Sequence, residues 1–83
     1  MYILSQNKER LVKVSSLFIE KNGDNWEIDN EGDWLGTYKT KEKAKKVLKE
    51  IFEDLDWGHA TFEMPLDEEI EKREIEERYG VWR

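Results

Sequence analysis

Cysteine is absent from this chain of 83 residues, and histidine and proline occur once each. Without cysteine the chain has no disulfide bond, no thiolate nucleophile and no cysteine-ligated zinc or iron–sulfur site. The single histidine, His59, is predicted to lie on the polar face of a strand, and no serine lies in a Gly-x-Ser-x-Gly motif. We therefore predict that the protein is not an enzyme and needs no cofactor or metal ion.

Long apolar runs are also missing. No stretch approaches the roughly 20 apolar residues of a membrane-spanning helix. The N-terminal segment lacks the basic and apolar regions of a signal peptide. These features predict a cytoplasmic protein that makes no membrane contact.

Charged residues are abundant but unevenly distributed. They make up 41% of the chain, and the net charge is −6. Residues 50–80 contain three basic and twelve acidic residues, so the acidity belongs to the C-terminal third. This sign of charge disfavours direct binding of DNA or RNA. Aromatic residues reach 12%, including four tryptophans, which indicates a folded domain rather than a disordered chain.

The clearest periodic pattern lies in residues 40–57. We predict a helix that begins after an N-cap at Thr40, ends at Gly58 and buries one apolar stripe. The charges of this helix are inverted relative to its dipole, because lysines occupy its first half and acidic residues its second half. The sequence offers no stability reason for that inversion. The stripe follows the helical period and consists of Ala44, Val47, Leu48, Ile51, Phe52 and Leu55.

Short alternating segments on both sides of this helix predict strands. Together they predict an α+β fold, with a four- to five-stranded antiparallel sheet, arranged as a meander, and the amphipathic helix packed on one face. The predicted strands are residues 2–6, 11–21, 26–28, 34–38 and 59–64.

The turns and irregularities of this sheet are also visible in the pattern. Within residues 11–21 the alternation changes phase at residues 15–16, which predicts two short strands or one bulged strand. The Asn-Gly pair at residues 22–23 predicts a type I′ hairpin turn, and residues 29–33 predict a second turn. Gly36 predicts a bulge or a close approach of the backbone.

The C-terminal segment predicts a second, acidic helix over residues 66–80. We expect a core domain of residues 1–65 and a helical extension of residues 66–83. The apolar residues of this helix do not form one stripe, so it projects from the domain or contacts another subunit. A further alternative is an acidic helix that mimics nucleic acid and binds a basic groove. The plainest alternative is a solubilising helix that packs loosely on its own domain. The predicted partner-binding residues are apolar or aromatic side chains in a polar surround, namely Ile70, Ile75, Tyr79 and Trp82.

A second candidate site lies at the start of the first helix. Free backbone N–H groups at a helix N-terminus favour anions, and lysines and aromatic rings nearby add to that preference. These parts predict a site for an anionic nucleotide, and the plainer alternative is a solvated lysine face. The candidate residues are Trp34, Tyr38, Lys39, Thr40, Lys41 and Lys45.

Three segments carry a resemblance to known proteins. Residues 1–6 (MYILSQ), 35–52 (LGTYKTKEKAKKVLKEIF) and 62–65 (FEMP) resemble short uncharacterised proteins from phages and prophages of Gram-positive bacteria. The resemblance covers residues 1–65. It implies an accessory phage gene product in the cytoplasm of the bacterial host cell. Such products bind a host protein, including in defence evasion, or sequester a host signal molecule.

These features predict a non-catalytic binding protein. Its expected mode of action is modulation or inhibition of a host protein through protein–protein interaction, and its expected partner is a host protein or a second copy of the chain, as a homo-oligomer. The alternative is a small-molecule sponge that binds an anionic nucleotide signal at the lysine-rich helix start.

Overall fold

The computed structural model describes residues 1–70, and the α+β class predicted from the sequence is confirmed there. A further helical turn begins at Asp67 and continues to Ile70, the last described residue. The elements in chain order are β1 (Tyr2–Leu4), β2 (Leu11–Lys13), β3 (Leu17–Asn22), β4 (Asn25–Asn30), β5 (Asp33–Tyr38), α1 (Lys41–Asp56) and β6 (Thr61–Glu63).

The strands form two three-stranded sheets rather than the single sheet that the sequence predicted. One sheet has the order β2-β1-β6 and the other the order β3-β4-β5. The second sheet is the predicted antiparallel meander, whereas β6 pairs with β1 in parallel. The division lies where the alternation changes phase, because residues 15–16 separate β2 from β3. Of the two alternatives for residues 11–21, two short strands is the correct one.

The side chain of Asn30 holds this division in place. Its Oδ1 accepts hydrogen bonds from the backbone N–H groups of Ser15 and Ser16, at 3.0 and 3.1 Å. Its Nδ2 donates to the carbonyl oxygen of Lys13 at 2.9 Å. Asn30 is only 4% exposed and ends β4, so it is not part of a surface turn as the sequence predicted. One amide therefore satisfies three backbone groups at the point where the chain passes between the sheets.

The first hairpin turn is displaced by one residue from its predicted position, whereas the second lies within the predicted segment of residues 29–33. Asn22 pairs with Asn25, so Gly23 and Asp24 are the central residues of the first turn. Gly23 has a φ of 64° and the following residue does not have a positive φ, which is the pattern of a type II′ turn rather than type I′. The second turn is residues 31–32, with φ values of 49° and 91°, and this pair has the positive φ values of type I′.

Strand β5 contains the irregularity that Gly36 predicted. The register between β4 and β5 skips Leu35, which forms a bulge. A Cβ at Gly36 would lie 3.1 Å from the Tyr38 hydroxyl oxygen and 3.2 Å from the terminal methyl group of Met64. The bulge and the close approach are both confirmed. The bulge also reverses the alternation of side chains, so that Trp34 and Tyr38 lie on opposite faces of the sheet.

The side chain of Gln6 joins the two sheets. Its Oε1 accepts from the backbone N–H of Thr37 at 3.0 Å, and its Nε2 donates to the carbonyl oxygens of Thr37 and Pro65, both at 3.1 Å. The backbone N–H of Gln6 donates to the carbonyl oxygen of Leu35 at 2.7 Å. Gln6 thus supplies hydrogen bonds to Leu35 and Thr37 at the outer edge of β5, as a neighbouring strand would.

Helix α1 packs on the β3-β4-β5 sheet and has the predicted ends. Thr40 is the N-cap, and its hydroxyl oxygen accepts from the backbone N–H of Lys43 at 3.1 Å. Gly58, with a φ of 81°, follows the C-cap residue Trp57. The hydrophobic core lies between this helix and both sheets, and its buried members are Ile3, Ile28, Leu35, Tyr38, Ala44, Val47, Ile51, Met64 and Ile70.

The first residues after Pro65 pack on the core. Ile70 has no exposed surface and belongs to the core cluster, so in this structure it contacts its own domain rather than presenting a side chain to a partner. Asp67 is hydrogen-bonded to the start of α1. The other predicted partner-binding residues, and the rest of the predicted acidic helix, lie in residues 71–83, outside the described part of the chain.

The hydrogen bonds of Asn30 give a stability prediction. We expect Asn30→Ala to lower the free energy of unfolding by about 1–3 kcal/mol in total, because three backbone groups lose their partner but belong to exposed residues, where water replaces part of the lost hydrogen bonding. Urea unfolding followed by tryptophan fluorescence measures the change. The matched control is Asn22→Ala, whose side chain makes an exposed hydrogen bond to Glu27. Equal unfolding midpoints for the two variants would contradict the role given to Asn30.

Candidate functional site

The start of α1, the predicted anion site, contains a carboxylate from the chain itself. The backbone N–H of Lys39 donates to Oδ1 of Asp67 at 2.9 Å, and the Lys43 ammonium donates to Oδ2 of Asp67 at 3.1 Å. Burial alone would raise the pKa of Asp67, but these hydrogen bonds and the two lysine charges outweigh it and hold the pKa below its usual value. Asp67 therefore occupies the position that the sequence assigned to an external anion.

The two aromatic residues predicted for that site are not beside the lysines. Tyr38 is completely buried, and its hydroxyl donates to the carbonyl oxygen of Pro65 at 2.7 Å. Trp34 pairs with Asp29 on the opposite face of the sheet, and its Nε1 donates to the hydroxyl oxygen of Thr37 at 2.9 Å. Neither ring can be a stacking surface for a nucleotide at the helix start. The two rings are separated because the bulge at residue 35 reverses the alternation of side chains, which the sequence pattern did not predict.

Trp26 is the aromatic residue that contacts the lysines. The Lys41 ammonium lies 5.3 Å from the centre of its ring and the Lys21 ammonium 5.8 Å. These distances are those of cation–π contacts. Lys45 is exposed one turn further along α1. The described lysines thus form a positive surface around a half-buried tryptophan, beside an anion position that is already filled.

A second surface feature was not predicted from the sequence. An apolar groove of about 290 Å³ lies between the second half of α1 and the segment that leads from β2 into β3. Two large apolar side chains of its lining are exposed, Phe52 by 69% and Leu55 by 43%. We call this surface the α1 groove. Its apolar lining consists of Val14, Leu17, Leu48, Ile51, Phe52 and Leu55.

The α1 groove exists because the apolar stripe of the helix is wider than the surface that covers it. Ala44, Val47 and Ile51 are buried against the sheet, but Phe52 and Leu55 extend beyond it. The sequence argument assigned all six stripe residues to the core. At 100° per residue the stripe spans roughly 140° of the helix, which is more than the about 100° that an amphipathic surface helix needs. That excess width was the available signal.

The lining of the α1 groove contains no charged residue, but the side of α1 that carries Phe52 has charges of both signs. Three charged residues share the side of the helix that carries Phe52, because their spacing from it follows the helical period. Lys45 lies seven residues before Phe52, Lys49 three residues before it and Asp56 four residues after it. All three are exposed, and within residues 1–70 none of them forms an ion pair. Lys45 and Lys49 also line a second pocket on α1, together with Glu42, Lys46, Glu50 and Glu53, so carboxylates of the same helix lie near both ammonium groups.

The sheet face that points away from α1 carries a group of carboxylates. Glu20 and Glu27 are cross-strand neighbours, and Asp29 follows on the same side of β4. Burial, a hydrogen bond with Glu20 and the charges of Glu20 and Glu27 raise the pKa of Asp29 to about 6. Among residues 1–70 no group of three histidine or acidic side chains is arranged to hold a metal ion.

No protein-family model matches this chain, and neither a curated protein nor a solved structure matches it. The resemblance of residues 1–65 to phage proteins therefore stays a prediction. In the part of the chain that the structure describes, no helix is both long and apolar enough to cross a lipid bilayer.

The contacts of Asp67 predict a dependence of stability on pH. We expect Asp67→Asn to lower the free energy of unfolding at pH 7 by about 1–3 kcal/mol, because a charge-assisted pair at a nearly buried lysine is lost. The contribution of Asp67 is present above its unfolded pKa of 3.8 and is lost as the pH falls through its lower folded-state pKa. The difference from wild type should therefore shrink below about pH 4.

Urea unfolding across this pH range tests the prediction. The control is Glu68→Gln, which removes an exposed carboxylate from the neighbouring position. A difference between wild type and Asp67→Asn that does not change with pH would contradict the prediction.

Asp29 predicts a pH dependence of the opposite sign. Its folded-state pKa of about 6 lies above the unfolded value of 3.8, so its contribution is fully present below 3.8 and is lost as the pH rises through 6. We expect Asp29→Asn to gain stability relative to wild type by about 1–3 kcal/mol between pH 4 and pH 7. Urea unfolding measures this gain, with the exposed hairpin substitution Asp24→Asn as the control. A gain that is the same at both pH values would contradict the raised pKa.

Proposed function

We propose that this protein is a non-catalytic binding protein that acts by protein–protein interaction, and that the α1 groove is its contact surface. The observation that carries the proposal is the exposure of Phe52 by 69% beside an apolar groove. Burying a phenylalanine stabilises a fold by about 1.5–3 kcal/mol, so leaving one exposed forgoes that gain. Aromatic side chains next to apolar pockets are typical of the residues that dominate binding energy at interfaces.

This proposal moves the contact surface from the C-terminal helix to α1. Ile70 of the originally predicted set is buried in the core, and the remaining members lie outside the described residues. The partner remains a host protein or a second copy of the chain. The resemblance to phage proteins supports a role as modulator or inhibitor of a host protein in the bacterial cytoplasm, including in defence evasion.

The nucleotide sponge has less support as a second candidate. The lysines around Trp26 favour it, because Lys21 and Lys41 place two positive charges over one aromatic ring. Asp67 disfavours it, because a phosphate group would have to compete with a carboxylate that is held by Lys39 and Lys43. The exposed apolar area of the α1 groove is also left without a role by this candidate.

Site-specific photo-crosslinking in Gram-positive bacterial cells tests the proposed function. A crosslinking phenylalanine analogue replaces Phe52, which keeps an aromatic ring at the groove. The matched control carries the same analogue at Asp24, an exposed position in the first hairpin. We expect a discrete protein adduct from position 52 only, because the groove makes the contact. Adding Leu55→Asp should reduce the adduct about tenfold, which corresponds to about 1.4 kcal/mol of binding energy.

The same experiment can overturn the proposal. Equal adduct yields at positions 52 and 24, or a yield that Leu55→Asp leaves unchanged, would show that the α1 groove is not a protein contact. The mass of the adduct distinguishes a second copy of the chain from a different protein.

A further inference from the structure

We propose that the occupant of the α1 groove is a second copy of this chain, docked so that the two α1 helices run antiparallel about a two-fold axis. This inference rests on the proposed function, because it names the partner for the same surface. A two-fold interface uses one surface patch twice, so the patch must be complementary to itself. The α1 groove and the side of α1 that carries Phe52 have this property in both charge and shape.

Charge complementarity comes from the inverted arrangement along α1. Five lysines and one acidic residue, Glu42, lie in the half of the helix up to Lys49, whereas the half from Glu50 to Asp56 contains four acidic residues and no lysine. Within one chain this order opposes the helix dipole. In an antiparallel pair the exposed lysine Lys45 on the Phe52 side of each helix lies against Asp56 on the same side of the other helix. The feature that destabilises the isolated helix therefore stabilises the pair.

Individual residues match in this arrangement. An axis that passes between residues 50 and 51 brings Lys45 of one copy opposite Asp56 of the other, because both are equally distant from the axis. Symmetry repeats the pair, so two ion pairs flank the axis. Lys45, Phe52 and Asp56 all lie on one side of α1, and both charged residues are without an ion pair inside the described chain.

Shape complementarity comes from the position of Phe52. Its ring is exposed at the edge of a groove of about 290 Å³, which has room for an aromatic side chain. Each copy therefore offers both a projecting ring and a groove to receive one. Next to the ring, Lys49 carries an aliphatic stem and an ammonium group that suit contact with the partner's phenylalanine.

A partner of a single charge sign would fit the charges beside Phe52 less well. A basic segment would meet the ammonium groups of Lys45 and Lys49, and an acidic segment would meet Asp56. A second copy satisfies both signs at once. This difference is the reason to assign the groove to the chain itself.

The expected association is weak. With 16 residues α1 is about 24 Å long. A contact along one helix of that length buries less than the roughly 800 Å² per partner of a standard interface. We therefore expect a dissociation constant of about 1–100 µM, and sedimentation velocity of the purified full chain from about 1 µM to about 500 µM to follow a monomer–dimer equilibrium.

Charge reversal tests the register of the two helices. Lys45→Glu and Asp56→Lys each place like charges opposite one another twice, so each variant alone should weaken association at least tenfold. Mixing the two variants in equal amounts restores both opposite-charge pairs in a heterodimer, which should regain the wild-type affinity to within about threefold. The double variant Lys45→Glu with Asp56→Lys should dimerise with itself but not with wild type.

The controls separate this inference from folding and from net charge. Asp24→Lys makes the same change in charge as Asp56→Lys at an exposed position far along the chain, and it should leave association unchanged. All variants should keep the wild-type circular dichroism spectrum, because positions 45 and 56 are exposed.

Two results would overturn the assignment of a second copy. One is a wild-type chain that stays monomeric across the whole concentration range. The other is a dimer that the single charge reversals do not weaken or that the mixture does not restore. Crosslinks from position 52 to a different protein would, together with either result, leave the proposed function standing. Absence of any specific crosslink would overturn the proposed function as well.

Discussion

The apolar stripe of α1 is wider than the surface of the β3-β4-β5 sheet that covers it, and the exposed surface of the helix depends on that mismatch. A chain of this size can build only a small core, so the β3-β4-β5 sheet covers Ala44, Val47 and Ile51 and leaves Phe52 and Leu55 at its edge. A narrower apolar stripe would have been fully covered by the sheet. Its extra width instead produces the α1 groove and leaves Phe52 and Leu55 exposed.

The charges of α1 follow the same logic. Each charge at the unfavourable end of the helix dipole lowers stability by about 0.3–1 kcal/mol at low salt. The inverted order therefore destabilises α1 without preventing it from forming. At the first turn this unfavourable electrostatic energy is reduced, because Asp67 brings a carboxylate to the positive end of the helix and to Lys43. Further along, Lys45, Lys49 and Asp56 receive no such correction inside the described residues. Asp67 thus compensates the charge at one end of α1, whereas the charges beside Phe52 have no ion-pair partner among the described residues.

Two side-chain amides hold the small domain together where backbone pairing stops. Asn30 satisfies three backbone groups between β2 and β3, and Gln6 pairs with the free edge of β5. Each amide side chain is hydrogen-bonded to backbone groups at a place where segments of the two sheets meet. Buried polar groups need such partners, and the cost of an unsatisfied one is comparable to a hydrogen bond. This arrangement explains how two three-stranded sheets share one core without forming one continuous sheet.

The sequence by itself determined the features that depend on neighbouring residues. The period of α1, its cap at Thr40, its end at Gly58, the break at residues 15–16 and the irregularity at Gly36 are all local, because caps, periods and phase changes are set within a few residues. Tertiary structure decided the features that depend on residues far apart in the chain. The bulge separated Trp34 from Tyr38, Asp67 closed the predicted anion position from 28 residues away, and the limited width of the sheet left Phe52 exposed. A local sequence pattern cannot predict these features. Each depends on the amount of surface and the sign of charge that a segment far away in the chain presents at the same point of the fold.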